Sequence, residues 1–217
     1  MSKKLNTNSN LYIIIYAAIM VVIVAFLLAF VSKALQKKSD ANVAIDKKSQ
    51  ILAALNIRSI DKSDVEAKYD EVVKTEDTQQ DLPIYICEVD GQAKYVVPVS
   101  GMGLWGGLWG YIAINDDGNT VYGAYFSHES ETAGLGALIA EQPFQEQFQS
   151  KKIFDADGNV ALSVVKVGKK KEGLDANSRC DALTGATLTS DGVDQMLKSS
   201  LGKYRDILSD NTTSAKD

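Results

Sequence analysis

The sequence predicts an α+β domain, an antiparallel sheet flanked by helices, carried behind one N-terminal transmembrane helix. Three observations carry this expectation. Residues 11–31 form an apolar run of 21 residues without a charge, the one long apolar run in the chain. Between residues 82 and 127, short β-rich segments flank the turn signals Asp90-Gly91 and Asp116-Asp117-Gly118-Asn119. From Val193 onward the apolar residues Val193, Met196, Leu197, Leu201, Tyr204, Ile207 and Leu208 recur at intervals of three and four, the stripe of an amphipathic helix.

Length and composition bound the rest. The 217 residues, 23.5 kDa, suffice for one ordinary domain plus an appendage. A hydrophobic content of 45% excludes a disordered chain, and a single long apolar run excludes a polytopic membrane protein. Lys3 and Lys4 are the only charged side chains ahead of that run, so the remainder carries 21 basic and 28 acidic groups. That sign is opposite to the clustered positive charge by which proteins hold phosphate backbones, so no nucleic-acid partner is expected.

At 1.5 Å per residue the apolar run reaches about 31 Å, matching a hydrocarbon core of about 30 Å, so a lipid bilayer is its expected partner. A secretory signal has a shorter apolar region and a small-residue cleavage site. Here Lys33 interrupts the only such stretch, which favours a retained anchor over cleavage near Ala34. Lys33, Lys37 and Lys38 oppose Lys3 and Lys4 in the charge rule for orientation, yet a short polar N-terminal tail is easily left inside. The expected organisation is a cytoplasmic tail over 1–10, a transmembrane helix over 11–31, and a helical stalk and start of the domain over 32–81. An extracytoplasmic domain over 82–208 and a disordered tail over 209–217 complete it.

Along the exported part, residues 39–56 read as a polar stalk becoming an amphipathic helix with Ile51, Leu52 and Leu55 on its stripe. Ser63-Asp64 caps a short helix bearing Val65, Tyr69, Val72 and Val73, and residues 75–81 are a polar break. Residues 82–89 and 93–99 form a hairpin, 100–110 a Gly/Trp loop, and 111–115 with 120–127 a second hairpin. Residues 128–136 are a second Gly-containing loop. A helix over 139–148 carries Phe144 and Phe148, and a strand over 160–167 leads to a lysine-rich tip, Lys169-Lys170-Lys171, either a solvated turn or a docking patch. Thr189, Ser190 and Asp191 are the candidate caps of the last helix.

Two cysteines, Cys87 and Cys180, are either a pair or two unrelated buried thiols. No cysteine–histidine cluster offers a zinc site, and His128, the only histidine, has no GxSxG partner motif. The segment Asp181-Ala-Leu-Thr184-Gly185-Ala186-Thr187-Leu188-Thr189-Ser190 stands just ahead of the last helix. A small-residue loop opening a helix binds anions through free backbone N–H groups. The same composition also makes an ordinary capped helix start.

This segment resembles the flavinylation motif of the covalent FMN-binding domain family, in which the last threonine of a (Ser/Thr)-Gly-Ala-Thr run is esterified to the FMN phosphate. The matching residue is Thr187. Glu131-Thr132-Ala133-Gly134-Leu135-Gly136 is similar to that family's Glu-Thr-Pro-Gly-Leu-Gly loop, with Ala133 in place of proline. Gly103-Leu104-Trp105-Gly106 resembles the Gly-Leu-Trp segment of one branch, the flavin subunits of sodium-translocating NADH:quinone reductases, which also have one N-terminal membrane helix.

The resemblance implies covalent FMN on Thr187, attached by a magnesium-dependent flavin transferase that uses FAD and recognises Asp181. It implies cofactor contacts from Trp105, Glu131, Thr132, Gly134, Leu135, Gly136, Lys166, Thr184, Gly185, Ala186, Leu188 and Thr189. Trp109 lies in a repeat of the GLWG sequence, so which tryptophan meets the ring stays open. No catalytic side chain and no metal are implied. The protein would pass single electrons among the other subunits of a membrane reductase complex. The alternatives are the flavin subunit of an Rnf-type ferredoxin:NAD reductase and a non-redox anchored binding domain.

Overall fold

The computed structural model describes residues 9–79, 81–168 and 175–214, with side chains through Ser209. The lysine tip at 169–171 lies outside the described residues. The chain divides into two compact units, Met1–Asp46 and Lys47–Asp217.

Helix α1, Asn10–Ala54, is long and apolar enough to cross a membrane, and apart from half-buried Tyr12 its apolar residues from Leu11 to Val31 are exposed. The helix does not end with the apolar run. Residues 32–50 contain no glycine or proline but five lysines, three alanines and two glutamines, all good helix formers, so the predicted polar stalk is helical as well.

The second unit begins with the last turns of α1, where Ile51, Leu52 and Ala54 are buried. Asn56 then takes a left-handed conformation (φ 62°), and the Asn56 and Ile57 N–H groups donate to the Ala53 and Leu52 carbonyls. This is the Schellman arrangement that closes a helix C-terminus. Helix α2 (Val65–Val72) follows, with Asp64 at its N-cap making no side-chain capping bond. The predicted polar break is instead strand β1 (Val73–Gln79), paired antiparallel with β2 (Leu82–Val89). β1 is an edge strand with mostly exposed side chains, which is why its sequence carries no hydrophobic alternation.

β3 (Gln92–Met102), β4 (Gly107–Asn115) and β5 (Val121–His128) complete a five-stranded meander in which each strand neighbours the next in sequence. Asp90 and Gly91, both at positive φ, turn β2 into β3. At the β4–β5 turn, Asp117 Oδ1 accepts the N–H groups of Asn119 and Thr120. Burial would raise this carboxyl, but the Thr120 hydroxyl, those two amides and Lys152 more than offset it and hold the pKa down at about 2. The predicted Gly/Trp loop over 100–110 shrinks to residues 103–106, because β3 and β4 run through most of its glycines.

Alternation splits the sheet into two faces. Tyr95, Val97, Val99, Leu108, Ile112, Ile114, Ala124 and Phe126 point into the main core with Val193, Met196, Leu197 and Leu201 of the last long helix. Tyr85, Cys87, Val96 and Ala113, also buried, belong to the opposite face. Phe126, Phe144 and Phe148 form an edge-to-face cluster at the end of the core near β5.

The predicted helix over 139–148 is broken. A 3₁₀ turn, Gly136–Ala140, gives way at Glu141 to a short helix α3 (Gln142–Glu146). Pro143 has no N–H to donate back toward Ile139, so a continuous helix is not available. Buried Gln145 repairs the break: its Nε2 donates to the carbonyls of Phe126, Ile139 and Ala140, and its Oε1 accepts Arg58 Nη1 at 2.8 Å.

The predicted strand over 160–167 contracts to β6 (Ser163–Val165), which pairs in parallel with β7 (Arg179–Asp181). Helix α4 runs Thr187–Leu201, beginning ahead of the hydroxyl residues expected to cap it. A 3₁₀ turn at Gly202–Tyr204 separates it from α5 (Arg205–Ser214), so the backbone stays helical past the expected fraying point at Ser209. Cys87 and Cys180 are both free and buried, and burial pushes each thiol up to about 12.

Replacing Gln145 with leucine strands three carbonyls and one arm of the Arg58 guanidinium, whose Nη2 still donates to the Ala124 carbonyl at 2.9 Å. Each orphaned group costs about 1–3 kcal/mol, offset partly by the apolar side chain. Gln145→Leu should lower the urea midpoint by the equivalent of about 2–3 kcal/mol with an unchanged m-value.

Candidate functional site

The three glycine-containing loops meet at one end of the sheet. Residues 103–106 join β3 to β4, residues 129–135 follow β5, and residues 182–186 lead into α4. Glu131 sits where they converge. Its Oε1 accepts the Trp105 N–H at 2.9 Å, and its Oε2 accepts the Thr189 hydroxyl at 2.6 Å. Burial of this carboxyl would raise its pKa. The Thr189 hydroxyl, the amides of Trp105 and Leu104 and nearby His128 outweigh that, and the group lies below its ordinary range.

Glycine makes this convergence possible. A methyl group on Gly103 would stand 2.4 Å from Glu131 Oε1, and one on Gly136 would stand 2.5 Å from both Glu131 Oε2 and Thr189 Oγ1. The backbone of both loops thus lies directly against the carboxylate. Around it, Glu131 N–H donates to His128 Nδ1, and Ser130 Oγ donates to the Trp105 carbonyl at 2.9 Å. Glu129 Oε2 accepts the Gly107 N–H at 3.2 Å.

The start of α4 is built differently from the predicted caps. Gly185 is left-handed (φ 81°), Ala186 is the N-cap, and no side chain caps it. Ser190 works from inside the helix. Its Oγ accepts the Leu183 N–H at 3.0 Å and donates to the Ala186 carbonyl at 2.9 Å. Thr187 is therefore the first helical residue, exposed, in the turn whose N–H groups have no intrahelical acceptor.

The remaining predicted residues divide by depth. Thr184, Thr187 and Leu188 are exposed on the α4 side, and Thr132, Gly134 and Leu135 are exposed on the loop after β5. The Leu135 side chain reaches to 3.2 Å from the position a Cβ would take at Gly185, so those two loops touch. Trp105 is 66% exposed. Trp109, in the second copy of the GLWG sequence, lies half-buried within β4 opposite Ser100 and Ser127. Glu131, Gly136, Ala186 and Thr189 are buried behind this surface.

Lys166 is exposed one residue past β6, beside the segment entering the loop, where Ala182 N–H donates to the Val165 carbonyl. Asp181, also exposed, pairs with Arg179 at 3.1 Å and lines a cleft of about 380 Å³ with Gln147 and Lys151. The pairing of Glu131 with Thr189 and the internal cap from Ser190 were not anticipated.

Comparison with known proteins gives a consistent result. Residues 103–202 match the FMN-binding domain family. The chain is 38% identical over 121 residues to the C subunit of the Na(+)-translocating NADH-quinone reductase of Pseudomonas aeruginosa, covering 55% of this chain and 46% of that protein. It is 36% identical over 169 residues to the same subunit from Haemophilus ducreyi, covering 78% of this chain and 57% of the relative. The chain thus spans about half the length of these curated relatives. The crystal structure of the corresponding Na(+)-translocating NADH-quinone reductase subunit from Parabacteroides distasonis superposes with a TM-score of 0.74 at 38% identity, covering 80% of this chain and 96% of that one. Shewanella oneidensis NqrC shares the fold at a TM-score of 0.65 and 21% identity.

The crowding at Gly136 and the open space at Gly134 separate two kinds of glycine requirement. Gly134→Ala meets only the penalty of its positive φ, about 1–2 kcal/mol. Gly136 has no positive φ to strain, but Gly136→Ala must part the Glu131–Thr189 pair and should lose about 1–3 kcal/mol in thermal unfolding.

Proposed function

The chain belongs to the FMN-binding domain family, and from that premise we propose that it is a membrane-anchored electron-transfer subunit of a sodium-translocating NADH:quinone reductase that carries FMN as a phosphoester on Thr187. The observation that supports the attachment is the first turn of α4: an exposed hydroxyl on residue 187, set among N–H groups that no side chain caps. A phosphate monoester needs such donors, and a flat, largely apolar ring needs apolar faces, which exposed Trp105, Leu135 and Leu188 offer nearby. The residues present therefore fit the cofactor.

In the attachment step the Thr187 hydroxyl gives up its proton and bonds to phosphorus as the pyrophosphate bond of FAD breaks and AMP leaves. A flavin transferase would catalyse it on this exposed loop, with Asp181 as a recognition point. An ester removes the loss by dissociation that a loosely held cofactor suffers where no free pool maintains occupancy. FMN, once bound, supplies the redox chemistry. The chain's own residues hold it. Thr187 tethers, the α4 amides and Lys166 balance the phosphate charge, and Trp105, Leu135 and Leu188 flank the ring. Thr184, Thr132 and the exposed backbone at Gly134 and Gly185 border the same surface. No side chain is assigned a proton-transfer role. Partners on this reading are the lipid bilayer, the transferase during maturation, and the other subunits that donate and accept electrons.

Two measurements test the proposal. Co-expressed with a flavin transferase, the chain should fluoresce under ultraviolet light on a denaturing gel, and Thr187→Ala should abolish the signal. A flavin peptide mapped to Thr184 in that variant would refute the assignment. For topology, we place the C-terminal domain outside the cytoplasmic membrane of a bacterium, with residues 1–10 inside. A membrane-impermeant thiol reagent should label Ser214→Cys in intact cells or spheroplasts, while buried Cys87 and Cys180 stay silent. Labelling only after lysis would reverse the orientation.

A further inference from the structure

The segment 184–190 carries four hydroxyls, on Thr184, Thr187, Thr189 and Ser190. We propose that Glu131 is a positioning residue for flavin attachment: by binding the Thr189 hydroxyl it fixes the first turn of α4 so that Thr187 faces outward, and it withdraws the competing hydroxyl from reaction. This rests on the reading of Thr187 as the attachment point.

The argument is geometric. Each residue turns an α-helix by about 100°, so positions 187 and 189 lie about 200° apart, on opposite sides of the helix. Holding Thr189 inward therefore turns Thr187 outward. Glu131 does the holding, from a loop 58 residues away in sequence, at 2.6 Å. The other oxygen of the same carboxylate is committed to the Trp105 amide, so the anchor cannot swing to follow a displaced helix. Thr189 and Ser190 are 2% and 1% exposed, whereas Thr184 and Thr187 are on the surface. A hydroxyl that donates to a carboxylate is electronically the best nucleophile of the four. Burial against Gly136 keeps a dinucleotide from reaching it.

Ser190 is withdrawn separately, through Leu183 and Ala186. Thr184 precedes the helix and lacks its N–H groups. One hydroxyl is left that is both exposed and at the helix start.

The test uses the full chain co-expressed with a flavin transferase, with covalent flavin followed over time as fluorescence per chain on denaturing gels. Fold is checked in parallel by circular dichroism and thermal unfolding. Thr189→Ser keeps the donor and should attach flavin at the parental rate. Glu131→Gln should do so as well, because its amide oxygen can accept the Trp105 N–H while its NH₂ group donates to Thr189. Thr189→Val and Glu131→Ala should fall by roughly tenfold or more while remaining folded at the assay temperature. Parental attachment rates in folded Thr189→Val or Glu131→Ala would overturn the proposal. If Glu131→Ala does not fold, Thr189→Val decides alone, since it leaves the Glu131 bond to Trp105 intact. Failure of both to fold would replace positioning with a purely structural role. An unmodified parent chain with no fluorescence would count against the Thr187 reading instead.

Discussion

A carboxylate taken out of water must find its partners inside the protein, and Glu131 finds them at once on another loop and on the first turn of α4. An uncompensated buried charge costs several kcal/mol. The Trp105 and Leu104 amides, the Thr189 hydroxyl and the bare backbone of Gly103 and Gly136 are therefore not independent features. Moving any one leaves the others facing an unsatisfied anion. The carboxylate acts as a non-covalent cross-link over sequence separations of 26 and 58 residues. The loops it joins would otherwise be the least constrained parts of the fold. The sheet makes the cross-link possible by delivering the end of β3, the start of β4 and the end of β5 to the same end of the sheet.

What the sequence made legible follows from how local each signal is. The hairpins at Asp90-Gly91 and Asp116–Asn119 are dictated by turn residues next to one another, and they stand in the structure as expected. β1 was missed because an exposed edge strand has no buried face to write into its pattern. β6 was legible as part of the apolar run over 160–167, but its parallel partner β7, three residues long, has no local signature. Pro143 was in plain view, but the remedy it required, Gln145 bonding to three carbonyls, depends on the position of β5. At the site, the loops and the small residues of the Thr184–Thr187 segment were visible in one dimension. The direction of the Glu131 side chain was not, because its partner hydroxyl sits in the first turn of α4, 58 residues away in sequence.

The duplicated GLWG sequence illustrates the same limit. Both copies read alike, yet Trp105 occupies a four-residue loop with its backbone pinned by Glu131 and Ser130, while Trp109 is held in the β4 ladder. Identical local sequence thus yields an exposed indole in one copy and a half-buried one in the other. The difference is set by where the hydrogen-bond register between β3 and β4 ends, at Met102 and Gly107.

The two cysteines bear on how the domain matures. Cys87 lies in β2, on the sheet face away from the main core, and Cys180 lies in β7 within that core. Each is enclosed, and each is held as the thiol by the cost of burying a thiolate. Thiol–disulfide exchange needs an accessible thiolate. Once folded, neither sulfur is open to an oxidase or to the other. The fold accordingly holds without a cross-link between them: it asks for no disulfide catalyst and draws none of its stability from an oxidising environment.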